Sequence, residues 1–417
     1  LPECRNDNAI DFIRRNRGER FFCYIPLNTP HSPFQVPDEF YDRLKDRRLS
    51  LKATEPEKED IPTTRAALAM CENIDWNVGR VEDALEENGL TDNTIVIYLS
   101  DNGPNSWRWN GGMKGRKGSA EEGGVRSPFS ITWPGRIEKE TRIDRIAGAI
   151  DVLPTLCDLC NVPLTNREPL DGLSLKPLLM KETDSSEWPD RRIFARQTSG
   201  DRNVTVRTQE FRAGGGSRGL YRIAGDIGQR CDLSADLPDV HNELMNAIDE
   251  WVENVAVKGD DTALPVGYRE FPHAYIPTQD AGLSGTIERS SVHPNCSYII
   301  NWTDTGSILT WNIDVRNAGK YAVTAMYACP EEDTGSMLEL RFGDRVLRAR
   351  IDRPFESEPL TGYDRVPRNE SYEKPFSPLF LGHINLPRSK GELKLKCIEK
   401  PGKEVCELRA LKLEIVE

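Results

Sequence analysis

The sequence predicts three pieces in order: an α/β sheet with helices on both faces over residues 1–189, a small α+β subdomain over 190–257, and an all-β sandwich over 268–417. Three observations carry that division. In the first part, short continuous apolar runs alternate with helical periods, the pattern of a sheet packed on both faces. Through 190–257, short strand-like runs precede one amphipathic helix. Beyond 268 the helical period is lost and apolar residues recur at every second position, as in sandwiches and jelly rolls. The 417 residues suit two to four domains at roughly 100–200 residues each.

The elements follow in chain order. Residues 9–15 have the spacing of an amphipathic helix body, with no cap before it. The chain opens at Leu1, not at Met, and shows no signal-peptide pattern, so we expect it to be a piece of a larger protein. Residues 21–25 (Phe-Phe-Cys-Tyr-Ile) read as a buried strand. Over 62–89, Ala66, Ala67, Met70, Ile74, Val78, Val81 and Leu85 recur at helical steps, and Asn88-Gly89 ends that helix. Residues 94–99 read as a second buried strand, ending in Ser100-Asp101-Asn102-Gly103. A loop rich in glycine and charge follows, then a strand at 129–133 and a helix around 152–159. Cys157 and Cys160 fall on that helical period, which favours core packing over a metal site. Strands at 204–207, 211–212 and 220–223 precede a helix through Leu244, Ile248, Trp251, Val252 and Val255. A linker at 258–268 carries Gly259, Asp260 and Asp261. In the last piece, strands run through Leu309, Trp311, Ile313 and Val315; through Tyr321, Val323, Ala325 and Tyr327; through Leu338, Leu340 and Phe342; through Leu393, Leu395 and Cys397; and through Leu411, Leu413 and Ile415.

Composition excludes several classes. No run approaches the roughly 18 apolar residues of a membrane helix. The net charge of −12 argues against binding to nucleic acid or an anionic membrane. Ten cysteines in this length are too few for a disulfide scaffold. Cys296, Cys329, Cys397 and Cys406 could form a disulfide in the last third, but the spacing leaves the pairing open. Asn203, Asn295, Asn301 and Asn369 head N-x-S/T triplets, acceptors only where the source glycosylates.

Three places join unusual residue choice to a position at a strand end, where α/β folds bind ligands. In Thr29-Pro30-His31-Ser32-Pro33 two prolines hold one imidazole, suited to an anionic oxygen or to proton transfer. A loop histidine bonded to backbone has the same appearance. Asp101 and Asn102 offer two adjacent oxygens of the kind a hard divalent cation takes, although Asp-Asn-Gly-Pro is also strong turn chemistry. From 101 to 126 five cations (Arg108, Lys114, Arg116, Lys117, Arg126) face three anions (Asp101, Glu121, Glu122), a local excess of positive charge in an acidic chain. Glycines there permit close backbone approach to a ligand, and Lys and Arg bind tetrahedral oxyanions. A solvated glycine-rich loop would look alike.

Together, Thr29-Pro30-His31-Ser32-Pro33, Ser100-Asp101-Asn102-Gly103, Lys117-Gly118-Ser119, Glu122-Gly123-Gly124-Val125-Arg126-Ser127-Pro128, Trp133-Pro134-Gly135 and Asp151-Val152-Leu153-Pro154-Thr155-Leu156 resemble the formylglycine-dependent sulfatases in order and spacing. The resemblance covers about residues 5–256. It implies an alkaline-phosphatase-like α/β fold and hydrolysis of a sulfate ester, on a sulfated saccharide or aryl sulfate, with one Ca²⁺. It implies Asp101 and Asn102 as metal ligands, His31 and Lys117 as catalytic residues at the sulfate and leaving oxygen, and Arg108, Trp109, Lys114 and Arg116 as the substrate rim. It also implies export to the periplasm or exterior. The family's nucleophile, a formylglycine made from Cys in Cys-x-Pro/Ala-Ser-Arg, matches none of the ten cysteines. We therefore expect it upstream, and the chain alone to be inactive. The alternatives are a phosphatase or phosphodiesterase on the same fold, or a non-catalytic carbohydrate-binding protein on a degenerate scaffold. The sandwich more weakly resembles β-domains appended to bacterial carbohydrate-active enzymes; Tyr298, Trp302, Trp311, Tyr321 and Tyr327 could stack on sugars or fill its core.

Overall fold

The computed structural model describes residues 2–50, 52–165, 169–197, 203–255 and 263–416. They fall into two compact units, Leu1–His31 with Val36–Val257, and Ser32–Gln35 with Lys258–Glu417. Gly259, Asp260 and Asp261 of the expected linker lie outside the described residues. Among the described residues no helix is long and apolar enough to cross a membrane.

The first unit is mixed α/β. Helices α1 (Pro2–Arg15) and α2 (Asp38–Asp42) both pack on α3 (Ile61–Glu87). The side chain of Asp60 caps α3 by accepting from the Thr63 N–H, and α3 buries Ala66, Ala67, Met70, Ile74, Ala84 and Leu85. Gly89, at φ +67°, ends it as the sequence predicts. Strand β1 (Val96–Leu99) pairs antiparallel with β2 (Phe129–Thr132), and Leu99 stands opposite Phe129. Short helix α4 (Glu122–Val125) lies between them in sequence; α5 (Val152–Leu159) and α6 (Lys176–Leu179) follow.

Three expectations fail here. Residues 21–25 form no strand: the run is extended, no described strand pairs with it, and Phe22 and Tyr24 are 76% and 77% exposed. Strands β1 and β2 are not buried on both faces, because each has only the other as a neighbour; Tyr98, Leu99 and Phe129 remain exposed. Cys157 and Cys160 are not core residues. Helix α5 buries Pro154, Thr155 and Leu159, which leaves Cys157 half-buried at the side and Cys160 exposed.

The rest of this unit is a four-stranded antiparallel sheet in the order β3-β4-β5-β6 (Ile193–Arg196, Val204–Arg207, Phe211–Gly214, Gly219–Arg222). Helix α7 (Pro238–Val255) covers it, burying Leu244, Met245, Ala247 and Ile248, with Trp251 stacked on Phe194 at 5.3 Å.

The second unit is a β-sandwich of twelve strands: β7 (Leu264–Val266), β8 (His273–Pro277), β9 (Gly282–Ser284), β10 (Glu288–Arg289), β11 (Ile299–Ile300), β12 (Ile308–Val315), β13 (Gly319–Ala328), β14 (Met337–Phe342), β15 (Arg345–Arg350), β16 (Ser377–Leu386), β17 (Lys390–Glu399) and β18 (Glu407–Ile415). One sheet runs β10-β11-β18-β13-β16, with β8 also on β18. The other runs β15-β14-β17-β12-β7, with β9 also on β12. Only β7 on β12 is parallel. Strand β7 falls inside the expected linker, so the β-structure starts earlier than residue 268. The inward faces share one core with Leu309, Trp311, Ile313, Tyr321, Val323, Leu340, Leu395, Leu411 and Leu413. The aromatic question resolves toward packing. Trp302, Trp311, Tyr321 and Tyr327 are at most 1% exposed, and Tyr298 is buried too, so none offers a ring face to a sugar.

Candidate active site

The turn after β1 is clamped to the glycine-rich loop by two main-chain bonds. The Gly103 N–H donates to the Gly124 carbonyl at 3.0 Å, and the Lys117 N–H donates to the Pro104 carbonyl at 2.9 Å. The Ser127 hydroxyl closes the base by donating to the Ser100 carbonyl at 2.7 Å. Glycine is required for this approach: a Cβ on Gly103 would stand 1.8 Å from the Gly123 carbonyl oxygen. On Gly123 it would stand 2.5 Å from the Gly115 oxygen, and on Gly124 2.2 Å from the Ser119 oxygen. These glycines serve backbone against backbone, so the sequence reading that assigned them to ligand approach is corrected.

Asp101 is exposed at the tip of that turn and accepts the Asn102 N–H at 2.9 Å. Asn102 donates its Nδ2 to the Gly103 carbonyl at 3.1 Å, leaving its Oδ1 with no donor among the described residues. One carboxylate oxygen and one amide oxygen therefore stand side by side. Hard oxygens of this kind fit a divalent cation, but Ca²⁺ takes six to eight. Among the described residues no group of three His, Cys, Asp or Glu side chains could hold a metal. The turn can supply part of a coordination shell and not a whole one.

The loop itself is pinned by a buried carboxylate. Glu122 lies 3.0 Å from Arg212, 3.6 Å from Arg207 and 3.4 Å from Arg126. Its backbone N–H donates to Gln229 Oε1 at 3.1 Å. Arg212 also donates to Thr205 Oγ1 at 2.8 Å, and Thr205 to the Ala120 carbonyl at 2.8 Å. Burial pulls the Arg212 pKa below its usual value, and Glu122 works against that shift. The four-stranded sheet thus holds the loop in place through charge.

The expected rim residues divide. Trp109 is largely exposed. Arg116 donates to the Asn105 carbonyl at 2.8 Å and lies 5.0 Å from the Trp107 ring, over which Lys58 also lies at 4.7 Å. Lys114 lies over the Tyr221 ring and 3.4 Å from Glu121. Arg108 donates to Ser106 Oγ at 2.9 Å. Burial lowers the Arg108 pKa, opposed by Cys71, Glu59 and Asp60. Lys117 differs: its ammonium is half-buried and has no ion-pair or hydrogen-bond partner among the described residues. His31 is exposed between the cis peptide bonds Thr29-Pro30 and Ser32-Pro33, its N–H closing a turn on the Asn28 carbonyl at 3.0 Å.

Sequence reasoning missed Lys58, Glu59, Asp60, Cys71, Tyr221 and Gln229, all distant in sequence or without local pattern. It had Glu122 as a loop anion and as the head of a matched motif, with no partner assigned. Asp151, from a matched motif, proves to be a buried structural node. It accepts from the Gly148 and Leu173 N–H groups and pairs with Arg191 at 2.9 Å.

Comparison with known proteins bears on this stretch. Residues 6–162 match the family model described as Sulfatase. An uncharacterized sulfatase, YdeN, of Escherichia coli (strain K12) is 25% identical over 292 residues, 60% of this chain and 50% of that protein. Arylsulfatase A of Homo sapiens is 35% identical over 172 residues, 39% of this chain and 33% of that protein. An arylsulfatase of Clostridium perfringens (strain 13 / Type A) is 31% identical over 214 residues, 44% of this chain and 42% of that protein. The crystal structure of Ps i-CgsB, solved in complex with k-i-k-neocarrahexaose, shares the fold with a TM-score of 0.53 at 24% identity. The match covers 60% of this chain and 54% of that one. The chain thus spans about half the length of YdeN and less of the arylsulfatases. Family model and relatives agree on the α/β part: residues 6–162 carry the likeness to the sulfatases, on a fold that the solved structure shares.

Proposed function

We propose that the protein is a sulfuric ester hydrolase acting on a sulfated saccharide or an aryl sulfate outside the cytoplasm, and that this chain supplies the leaving-group side of its active site. The observation that carries the reading is Lys117. A half-buried lysine whose ammonium has no partner among the described residues, fixed by its own backbone beside the Asp101–Asn102 turn, is what an anionic ester needs and what a structural lysine avoids.

Cleaving a sulfate ester builds negative charge on the bridging oxygen. Lys117 stabilises that charge with an ammonium held in place before the reaction, which is the differential effect that speeds chemistry. His31 donates a proton to the leaving oxygen. Asp101 and Asn102 hold one divalent cation, Ca²⁺ in this reading, which supplies charge neutralisation at the sulfate when bound. Arg108 and Trp109 face the organic part of the substrate, and Lys114 and Arg116 tune the rim through Tyr221 and Trp107. The nucleophile in this reading is a formylglycine, and none of the ten cysteines stands in Cys-x-Pro/Ala-Ser-Arg.

The test uses the protein translated from the complete reading frame. Lys117→Ala and His31→Ala should each lower turnover of a sulfate ester by about 10²–10³-fold. Unchanged turnover would remove either residue from the mechanism. Faster cleavage of the matched phosphate ester than of the sulfate would replace the reading with a phosphatase.

A further inference from the structure

Three thiols meet in the interior of the β-sandwich: Cys329, Cys397 and Cys406, all buried and all free. Two of them stand in a special relation. Strands β13 and β18 pair antiparallel with Tyr327 opposite Leu408 and Ala328 opposite Glu407. Continued one step past the last pair of that ladder, Ala328 with Glu407, the register would set Cys329 opposite Cys406. The Cys329 N–H donates to the Phe355 carbonyl at 2.9 Å, and the Phe355 N–H donates to the Cys329 carbonyl at 2.9 Å. Both polar groups of Cys329 thus turn toward Phe355, away from β18. That makes Cys329 and Cys406 a non-hydrogen-bonded pair, the close kind, with Cα atoms about 4.5 Å apart. The spacing falls inside the window a disulfide accepts, about 4.4–6.8 Å. The Cys329 thiol sits 3.7 Å from the carbonyl of Val405, the residue that leads into Cys406. Cys397 belongs to the opposite sheet, on β17, and donates its thiol to the Glu399 carbonyl at 3.0 Å.

We propose that Cys329 and Cys406 close a cross-strand disulfide when the chain folds in a compartment that supplies disulfide oxidants. The two thiols lose two protons and two electrons and gain one sulfur–sulfur bond. The electrons reduce one disulfide of oxidised glutathione, or of a thiol oxidoreductase, to two thiols, through a mixed disulfide. The step belongs to folding. Once the core is dry, burial pushes the Cys329 thiol up to about 12 and Cys406 well above its usual value, so neither offers a thiolate. The proposal stands apart from the hydrolase reading, since it concerns only the second unit.

The experiment compares the full chain made with export to an oxidising compartment and in a reducing cytosol. Each soluble product is denatured, alkylated without reductant, digested and mapped by mass spectrometry. We expect the exported protein to yield a peptide pair joined through Cys329 and Cys406, with Cys397 alkylated, and the cytosolic protein to yield all three alkylated. Cys397→Ala should keep the crosslink, and Cys406→Ala should free Cys329. A crosslink through Cys397, or three alkylated thiols in soluble exported protein, would overturn the pairing.

Discussion

Replacing Glu122 by Gln tests whether charge holds the active-site loop in place. The substitution keeps shape and removes the carboxylate facing Arg126, Arg207 and Arg212. The Arg212 side chain is 4% exposed and cannot regain water without opening the sheet. Removing one partner of a buried ion pair costs about 3–5 kcal/mol, because the other charge is stranded. Arg212 keeps its bond to Thr205, which sets the expectation near the lower end, about 3 kcal/mol. Arg126 lies at the surface and adds less than about 1 kcal/mol. With a urea slope of about 2 kcal/mol/M, the midpoint should fall by about 1.5 M. The assay is urea unfolding of the full chain, followed by fluorescence for wild type, Glu122→Gln, Arg212→Met and the double variant. The double variant should recover at least about 1 kcal/mol relative to the sum of the singles, since the two side chains touch. A loss below about 0.5 kcal/mol for Glu122→Gln, or strict additivity in the double variant, would refute the argument.

Other consequences are open to measurement. Gly103→Ala drives a Cβ onto the Gly123 carbonyl and should destabilise by about 3 kcal/mol or more. Gly112→Ala meets open space at φ +76° and should cost only about 1–2 kcal/mol; thermal melts that reverse this order would contradict the packing account. In the sandwich, burial tends to raise the Glu339 pKa, but bonds from Arg348 and Arg341, with Lys396 nearby, win and hold it below the usual carboxylate range. A depressed carboxylate stabilises the fold above its unfolded pKa. The urea-midpoint advantage of wild type over Glu339→Gln should therefore hold at neutral pH and shrink as pH falls through and below the usual carboxylate range. A difference independent of pH would show that the charge plays no part. Because Trp302 is sealed in the core, sulfated glycans should leave its emission unchanged in a variant whose other tryptophans are replaced by phenylalanine; a saturable shift would reopen the sugar-stacking idea.

What the sequence made legible follows from period. Strands β12, β13, β14, β17 and β18 were readable because one face is buried along each. Strand β16 was not: its buried set shifts from Leu379 and Leu381 to Ile384 and Leu386 across Gly382, at φ +125°, where the pairing register shifts. Edge strand β15, Arg-Val-Leu-Arg-Ala-Arg, buries no residue fully, so its pattern is mute. The run at 21–25 misled because apolarity records what a segment can pair with, and no described strand meets it. At the site, Asp101, Asn102 and Lys117 stood out as residue types near a strand end. Glu122 did not, since its partners Arg207 and Arg212 lie some 90 residues away.

The loop from 100 to 126 also says something about how such a site could change over generations. Gly103, Gly123 and Gly124 would each drive a side chain into a backbone carbonyl, and their positions admit almost no variation. Trp107, Arg108 and Trp109 hang from that frame, and the largely exposed Trp109 contributes nothing to its closure. Frame and rim are therefore separately heritable. A lineage could exchange the rim and meet a different substrate without first solving the folding problem again.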